Sequence, residues 1–280
     1  MFSTFVQRFL IIALVGLVIT SFAGAANAGD LDKFANMQGT LDLAGGTAHV
    51  PVMKEAAQNI MAFNPKIRIT IAGGGSGVGV QKVGEGMVSI GNTGRPLTEK
   101  EIEKYGLKSF PFAIDGVAVI VNPKNPISDL KSEQVRNIFS GRIKSWKDLG
   151  GKEQEIHLFT RDEASGTREV FWEILLKKGP IANTANVVPS NGAMKIAVSK
   201  DENAIGYMSI GHVDRTVKAI SLDGAAPTQD NAINGSYAVV RKLYMNTKGA
   251  PSPLAQAFID YILSPMGAGV IEKYGYIPSK

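Results

Sequence analysis

Three short runs along this chain couple small residues to a hydroxyl: Gly45-Gly46-Thr47, Gly75-Ser76-Gly77 and Ser165-Gly166-Thr167. Each follows a β-rich stretch and stands where a helix should begin. The first N–H groups of a helix have no partner inside it, and the helix dipole leaves partial positive charge there. Glycine lets the backbone approach a ligand closely and Ser or Thr adds a neutral donor, so such a turn suits an anion. Arg161 precedes Ser165 by four residues, and a guanidinium offers a planar fork to two oxygens of one oxyanion. Ser and Thr are also ordinary helix caps, the plainer role for any one run alone. Three runs together with Arg161 point to a small tetrahedral anion.

The same residues fit enzyme motifs poorly. Gly75-Ser76-Gly77 lacks the Gly-Lys-Ser/Thr ending of a nucleotide phosphate loop. A serine nucleophile elbow needs Gly two residues after the serine, and position 78 is Val. A dinucleotide fingerprint laid on Gly73, Gly75 and Val78 fails at its third glycine. His49 follows Thr47 closely enough to suggest an acid/base pair, but no carboxylate is aligned with it, so it reads as a helix-surface histidine. Binding without chemistry is the better reading.

The elements that must position these runs alternate strand and helix, the signature of an α/β fold. Leu41 to Ala44 reads as a strand. Thr47 then stands to cap a helix whose stripe is Val50, Met53, Ala57, Ile60 and Met61, with Pro51 in its first turn. Ile67, Ile69 and Ile71 alternate with polar residues as a half-buried strand that runs into the glycine-rich turn 73–79. Further strands are expected over 87–91, 117–121, 156–160, 205–208 and 237–244. Helices are expected over 132–139 and 191–198, and one after Ser252 with Pro253 at its first position. No linker or internal repeat separates these blocks, so two domains here would be joined by more than one crossing strand.

Lys plus Arg total 30 and Asp plus Glu 25, a formal charge of +5 with no basic block, which argues against a nucleic-acid binder. Cysteine is absent, which removes disulfides, thiol catalysis and Cys-ligated metals. The three histidines, His49, His157 and His212, lack metal-ligand spacing. No metal or cofactor is expected. At the N-terminus, Arg8, the apolar run Phe9 to Thr20 and Ala26-Asn27-Ala28 form a signal-peptide pattern. Residues 1–28 are therefore expected to be cleaved on export, most simply to a periplasm, and the mature chain has no Cys for a lipid anchor.

Taken together these segments resemble the substrate-binding protein of bacterial phosphate ABC importers, the PstS-type family. The resemblance rests on Gly45-Gly46-Thr47, Gly73 to Gly79, Ile90 to Leu97, Ala113 to Val119 and Ile143 to Leu149. It continues through Ile205-Gly206-Tyr207 and Tyr274 to Ile277. The most specific piece is Arg161 with Ser165-Gly166-Thr167-Arg168-Glu169. It implies a type II periplasmic binding protein of two α/β lobes with two crossing strands as the hinge. The lobes would be 29–115 plus 243–280, and 116–242. The implied ligand is inorganic phosphate, held by Thr47, Ala48 (through its backbone), Ser76, Arg161, Ser165, Gly166 and Thr167. The implied partner is the membrane permease of an ABC transporter, with the binding protein a monomer and no catalysis.

One position departs from the family pattern. Members with the best-described sites carry an Asp near position 95 that accepts the proton of bound phosphate, whereas this chain has Gly94-Arg95-Pro96. Phosphate keeps a proton near neutrality and sulfate keeps none, so a buried acceptor rewards phosphate. Asp115 is the candidate for a relocated acceptor; its alternative role is a hydrogen bond within the crossing strands. Arg95 either contacts phosphate or pairs with an acid at the cleft rim. Other tetrahedral oxyanions (sulfate, molybdate), a phosphate sensor or scaffold, and an exported phosphoester hydrolase are the competing functions.

Overall fold

The computed structural model describes residues 29–279; the export segment expected over 1–28 lies outside them. The first expected strand is β1 (Gly39–Gly45), with β2 (Ile67–Gly74) parallel beside it. Between them helix α1 (Val50–Phe63) buries Val52, Met53, Ala56, Ala57 and Ile60, the face that a 3.6-residue period aligns. Helix α2 (Ser76–Gly84) begins directly after β2 and leads to β3 (Ile90–Thr93), the other neighbour of β1. The strand expected over 87–91 is thus displaced towards the C-terminus. Met87 is exposed, and pairing runs on through Asn92 and Thr93 because Met245 and Tyr244 stand opposite them.

β4 (Leu107–Val121) is the longest strand, at 15 residues. Its second half sends Val117, Val119 and Val121 to one apolar core and Ala118 and Ile120 to another, so that stretch is apolar throughout. There follow β5 (His157–Arg161), helix α3 (Gly166–Val170), β6 (Asn186–Val188), helix α4 (Asn191–Lys200), β7 (Ala204–Ser209) and β8 (Val240–Lys248). Pairing in β8 starts at Val240, later than the expected 237. Tyr237 is instead turned inward, its hydroxyl donating to the carbonyl of Val117 at 2.8 Å. Along the sheet the strands lie in the order β2-β1-β3-β8-β4-β7-β5-β6. Helices α5 (Pro253–Ile262) and α6 (Pro265–Lys273) return to pack Phe258, Ile262 and Ile271 with Val52 of α1.

The result is the two-lobed α/β fold expected, and β4 and β8 run through both lobes. β4 gives Phe112 and Ala113 to the first core and Val117, Val119 and Val121 to the second. β8 gives Leu243 and Met245 to the first, while Val240 packs against the second. Where the strands pass between cores, Arg241 and Asp115 are directly opposite each other in the ladder. Arg241 donates to Asp115 Oδ2 from Nε at 2.9 Å and Nη2 at 2.7 Å, and Ser209 Oγ donates to Oδ1 at 2.8 Å. Burial pushes the Asp115 carboxyl above its usual range, and the Arg241 charge works against that shift.

Removing one partner of such a pair leaves the other charge buried alone, at a cost of about 3–5 kcal/mol. Asp115→Asn is expected to lower the unfolding free energy by that order in denaturant titration. Lys33→Gln, which breaks the exposed pair with Asp260, should change it by less than about 1 kcal/mol. Equal small changes in both variants would show that strand pairing alone carries the crossing.

Candidate anion-binding site

The three small-residue turns meet between the lobes, each at the carboxyl end of a strand. Thr47 does not cap α1: a single 3-10 turn, Thr47–His49, precedes that helix, and its cap position is His49. The Thr47 hydroxyl is instead taken by the opposite lobe, accepting from the backbone N–H of Asn191 at 3.3 Å and from its Nδ2 at 3.1 Å. Ser76 is the first residue of α2, and its Oγ accepts from Gly94 N at 3.0 Å. Ser165 does cap α3, accepting from Arg168 N at 3.2 Å. Each hydroxyl oxygen therefore already accepts an N–H, leaving its own proton to donate.

Arg161 ends β5 and is 1% exposed. Its Nε and Nη2 each donate at 3.0 Å, to the carbonyls of Val188 and Pro189. Its backbone N–H donates to the Tyr207 hydroxyl at 3.1 Å, and the Tyr207 ring stacks on Phe171 with centroids 3.9 Å apart. That clamp leaves Nη1 buried without a partner. A buried cationic donor left unmade costs about 1–3 kcal/mol or more, and burial is the main influence lowering the Arg161 pKa. An anion answers both.

Thr47, Ala48, Ser76, Arg161, Ser165, Gly166 and Thr167 all line one small cavity, together with His49, Arg241 and the glycines at 46, 75 and 94. No carboxylate is in that wall. A wider hollow of about 690 Å³ opens at the surface by Asp42, Met87 and Lys248, but it is continuous with solvent and gathers no comparable set of donors. The lobes are shut over the small cavity. Gly77 N donates to Ala164 O at 3.0 Å and His212 Nε2 to Thr47 O at 2.9 Å. A side chain on Gly166 would place its Cβ 2.2 Å from Ser76 Oγ, so the closed cleft requires glycine there.

Arg95 and Asp115 are absent from the wall. Arg95 forms the rim pair that was one of its two alternatives: its guanidinium binds Glu101 at 2.7 Å and, across the cleft, Glu169 at 2.7 Å. Asp115 has both oxygens filled by Arg241 and Ser209, the crossing-strand role rather than the relocated acceptor. His49 is corrected too, being 0% exposed and not on a helix surface. Its position two residues after Thr47 was the available signal. Arg241, Asn191 and His212 come from segments distant in sequence, and no local pattern marked them. Among the described residues no three His, Asp or Glu side chains converge as a metal site.

A family model described as a PBP superfamily domain matches residues 33–266. The phosphate-binding protein PstS of Bacillus subtilis is 33% identical over 97% of this chain and 94% of its own length. A crystal structure from Clostridium perfringens, described as a candidate phosphate ABC transporter substrate-binding protein with bound phosphate, superposes with a TM-score of 0.81. It is 34% identical and covers 86% of this chain and all of that one. An ABC-type phosphate transport receptor from Vibrio cholerae gives a TM-score of 0.68 at 34% identity, over 85% of this chain and 99% of that one.

Two of the site's histidines also make the fold acid-sensitive. Burial, reinforced by the Arg241 charge, holds His49 down at about 3, and burial together with nearby Lys195 and Arg241 holds His212 at about 4. Unfolded histidines take up protons near 6.5 while these stay neutral, so stability falls as pH drops from 6.5 towards 4. Each pH unit in that window removes about 1.4 kcal/mol per histidine. The ligand-stripped protein is expected to lose thermal midpoint steadily between pH 7 and 4.5, and a flat profile would contradict the neutral, buried assignment.

Proposed function

The chain belongs to the family of PstS phosphate-binding proteins within the PBP superfamily, and on that premise we propose that it captures inorganic phosphate between its lobes outside the cytoplasm and delivers it to an ABC-type import permease. The observation that carries this reading is the composition of the closed cavity: hydroxyls aimed to donate, a buried Arg161 with one arm unpaired, and no carboxylate. Such a wall takes a small, largely dehydrated oxyanion and repels cations. We assign the lobes to residues 29–115 plus 243–280, and 116–242, supported by the change of core along β4 and β8 between those points. The phosphate ligands assigned are Thr47, Ala48, Ser76, Arg161, Ser165, Gly166 and Thr167. The leader expected over 1–28 would place the protein in the periplasm, working as a monomer.

Hydrolysis of a phosphoester is disfavoured by the same geometry. The imidazole in the wall, His49, bonds the carbonyl of Tyr244 rather than a hydroxyl, and with a pKa near 3 it is a weak base for activating one.

The test is calorimetric titration of the refolded, ligand-stripped protein with phosphate, then with sulfate as competitor. One-to-one phosphate binding that excess sulfate fails to displace is expected. Arg161→Met should weaken it roughly 100-fold or more, the effect of deleting a charge-assisted bond in a buried site. Preference for sulfate or molybdate would overturn the substrate, and no oxyanion binding would return the three turns to ordinary helix starts. The Arg95–Glu169 pair spans the closed cleft partly exposed, so Glu169→Gln should speed phosphate release only about 2- to 5-fold. Stopped-flow displacement measures that rate, and an unchanged value would show that the rim pair does not hold the lobes together.

A further inference from the structure

Of the side chains in the cavity wall, two present a buried polar atom with no hydrogen-bond partner: Arg161, through Nη1, and His49, through Nδ1. The first is a donor. The second is an acceptor, and the imidazole's own contacts establish this. His49 Nε2 lies 3.2 Å from the carbonyl oxygen of Tyr244, and a carbonyl can only accept, so Nε2 carries the ring proton. The ring is neutral under ordinary conditions, so Nδ1 holds a bare lone pair.

The surroundings hold the ring in place, and besides Tyr244 the backbone carbonyls of Gly46 and Thr93 lie near it, none of them bonded to Nδ1. The imidazole packs against Phe112, with centroids 5.3 Å apart. Gly46 passes the Nδ1 edge so closely that a Cβ there would sit 2.7 Å from the nitrogen. Around it the wall offers hydroxyls already accepting N–H bonds, and the guanidinium groups of Arg161 and Arg241. Of the carboxylates around the cleft, Asp115 is taken by Arg241 and Ser209, Glu101 and Glu169 by Arg95, and Asp162, whose charge acts on Arg161, does not line the cavity.

We infer that His49 Nδ1 accepts the hydrogen bond from the proton that bound phosphate retains, and so serves as the residue that distinguishes phosphate from fully deprotonated oxyanions. This rests on the phosphate reading above. A P–OH group turned towards Nδ1 satisfies the one side-chain acceptor in the wall left without a partner. Sulfate turns an oxygen lone pair to the same nitrogen and leaves it unpaired, a loss of the kind that gives strong discrimination. Because the imidazole is neutral, it discriminates by direction of hydrogen bonding and adds no negative charge to a cavity that must hold a dianion.

Two substitutions separate the nitrogens. His49→Gln can place its amide N–H near the Nε2 position, keeping the bond to Tyr244, and has no acceptor at Nδ1. His49→Asn places an amide oxygen near Nδ1. Phosphate and sulfate titrations of the three proteins should show the ratio of dissociation constants falling roughly 10- to 100-fold in the Gln variant, and partly recovering in the Asn variant. If the Gln variant does not fold, nitrogen NMR of the wild-type imidazole decides. Nδ1 should move towards the hydrogen-bonded range with phosphate and stay near its ligand-free position with sulfate. An unchanged ratio in the folded Gln variant, or the same Nδ1 response to both anions, overturns the inference while phosphate binding stands. Failure of the wild type to bind phosphate removes both readings at once.

Discussion

A guanidinium buried at 1% exposure with one arm unpaired is the constraint around which this protein is arranged. Isolated charge in a protein interior is costly, so everything near Arg161 either holds it still or waits to neutralise it. The carbonyls of Val188 and Pro189 fix the fork's orientation, and Tyr207, itself stacked on Phe171, fixes the backbone behind it. The second lobe's aromatic core thereby becomes the foundation of an electrostatic site. The opposing lobe contributes mostly neutral donors, because helix starts and hydroxyls strengthen anion binding without adding repulsion when the cleft closes.

The hydroxyls follow one pattern on three unrelated segments. Asn191, Gly94 and Arg168 each send an N–H to a hydroxyl oxygen, which leaves that hydroxyl a donor into the cavity. Two of these bonds stay within a lobe, and the one from Asn191 to Thr47 crosses the cleft. The first lobe's turn is therefore oriented by contact with the second, which ties the shape of the site to closure.

How much of this was legible beforehand depended on whether the signal was local. Alternation of Ile67, Ile69 and Ile71 and the Ser252-Pro253 helix start are short-range patterns that the structure has where they were expected, while the α1 stripe is turned slightly, with Val52 and Ala56 buried and the expected Val50 and Met61 only half-buried. The small-residue turns were legible because backbone approach and anion donors both require those residue types. Strand ends were less so: Asn92 and Thr93 look like loop residues until Tyr244 and Met245, some 150 residues away, pair with them. His49 and Arg241 escaped for a related reason. An imidazole is read as a surface group or a ligand according to what surrounds it, and here Phe112 and Tyr244 arrive from other parts of the chain. Likewise the strand partner of Asp115 was not visible until β4 and β8 were laid side by side.

The two strands that carry the chain between lobes are bonded to each other along the crossing, with one irregularity in register at Leu243/Tyr244. Such a pair behaves as a leaf spring, compliant when bent across its flat face and stiff when stretched or sheared in its own plane. The second lobe is therefore left with close to a single angle through which it swings. Any opening and closing about that angle would return donors spread over segments from Gly46 to Arg241 to the same places, with no need to search for alignment. Repeatability of this kind is a property of the linkage itself, and it lets a site assembled from two halves work as though it were one.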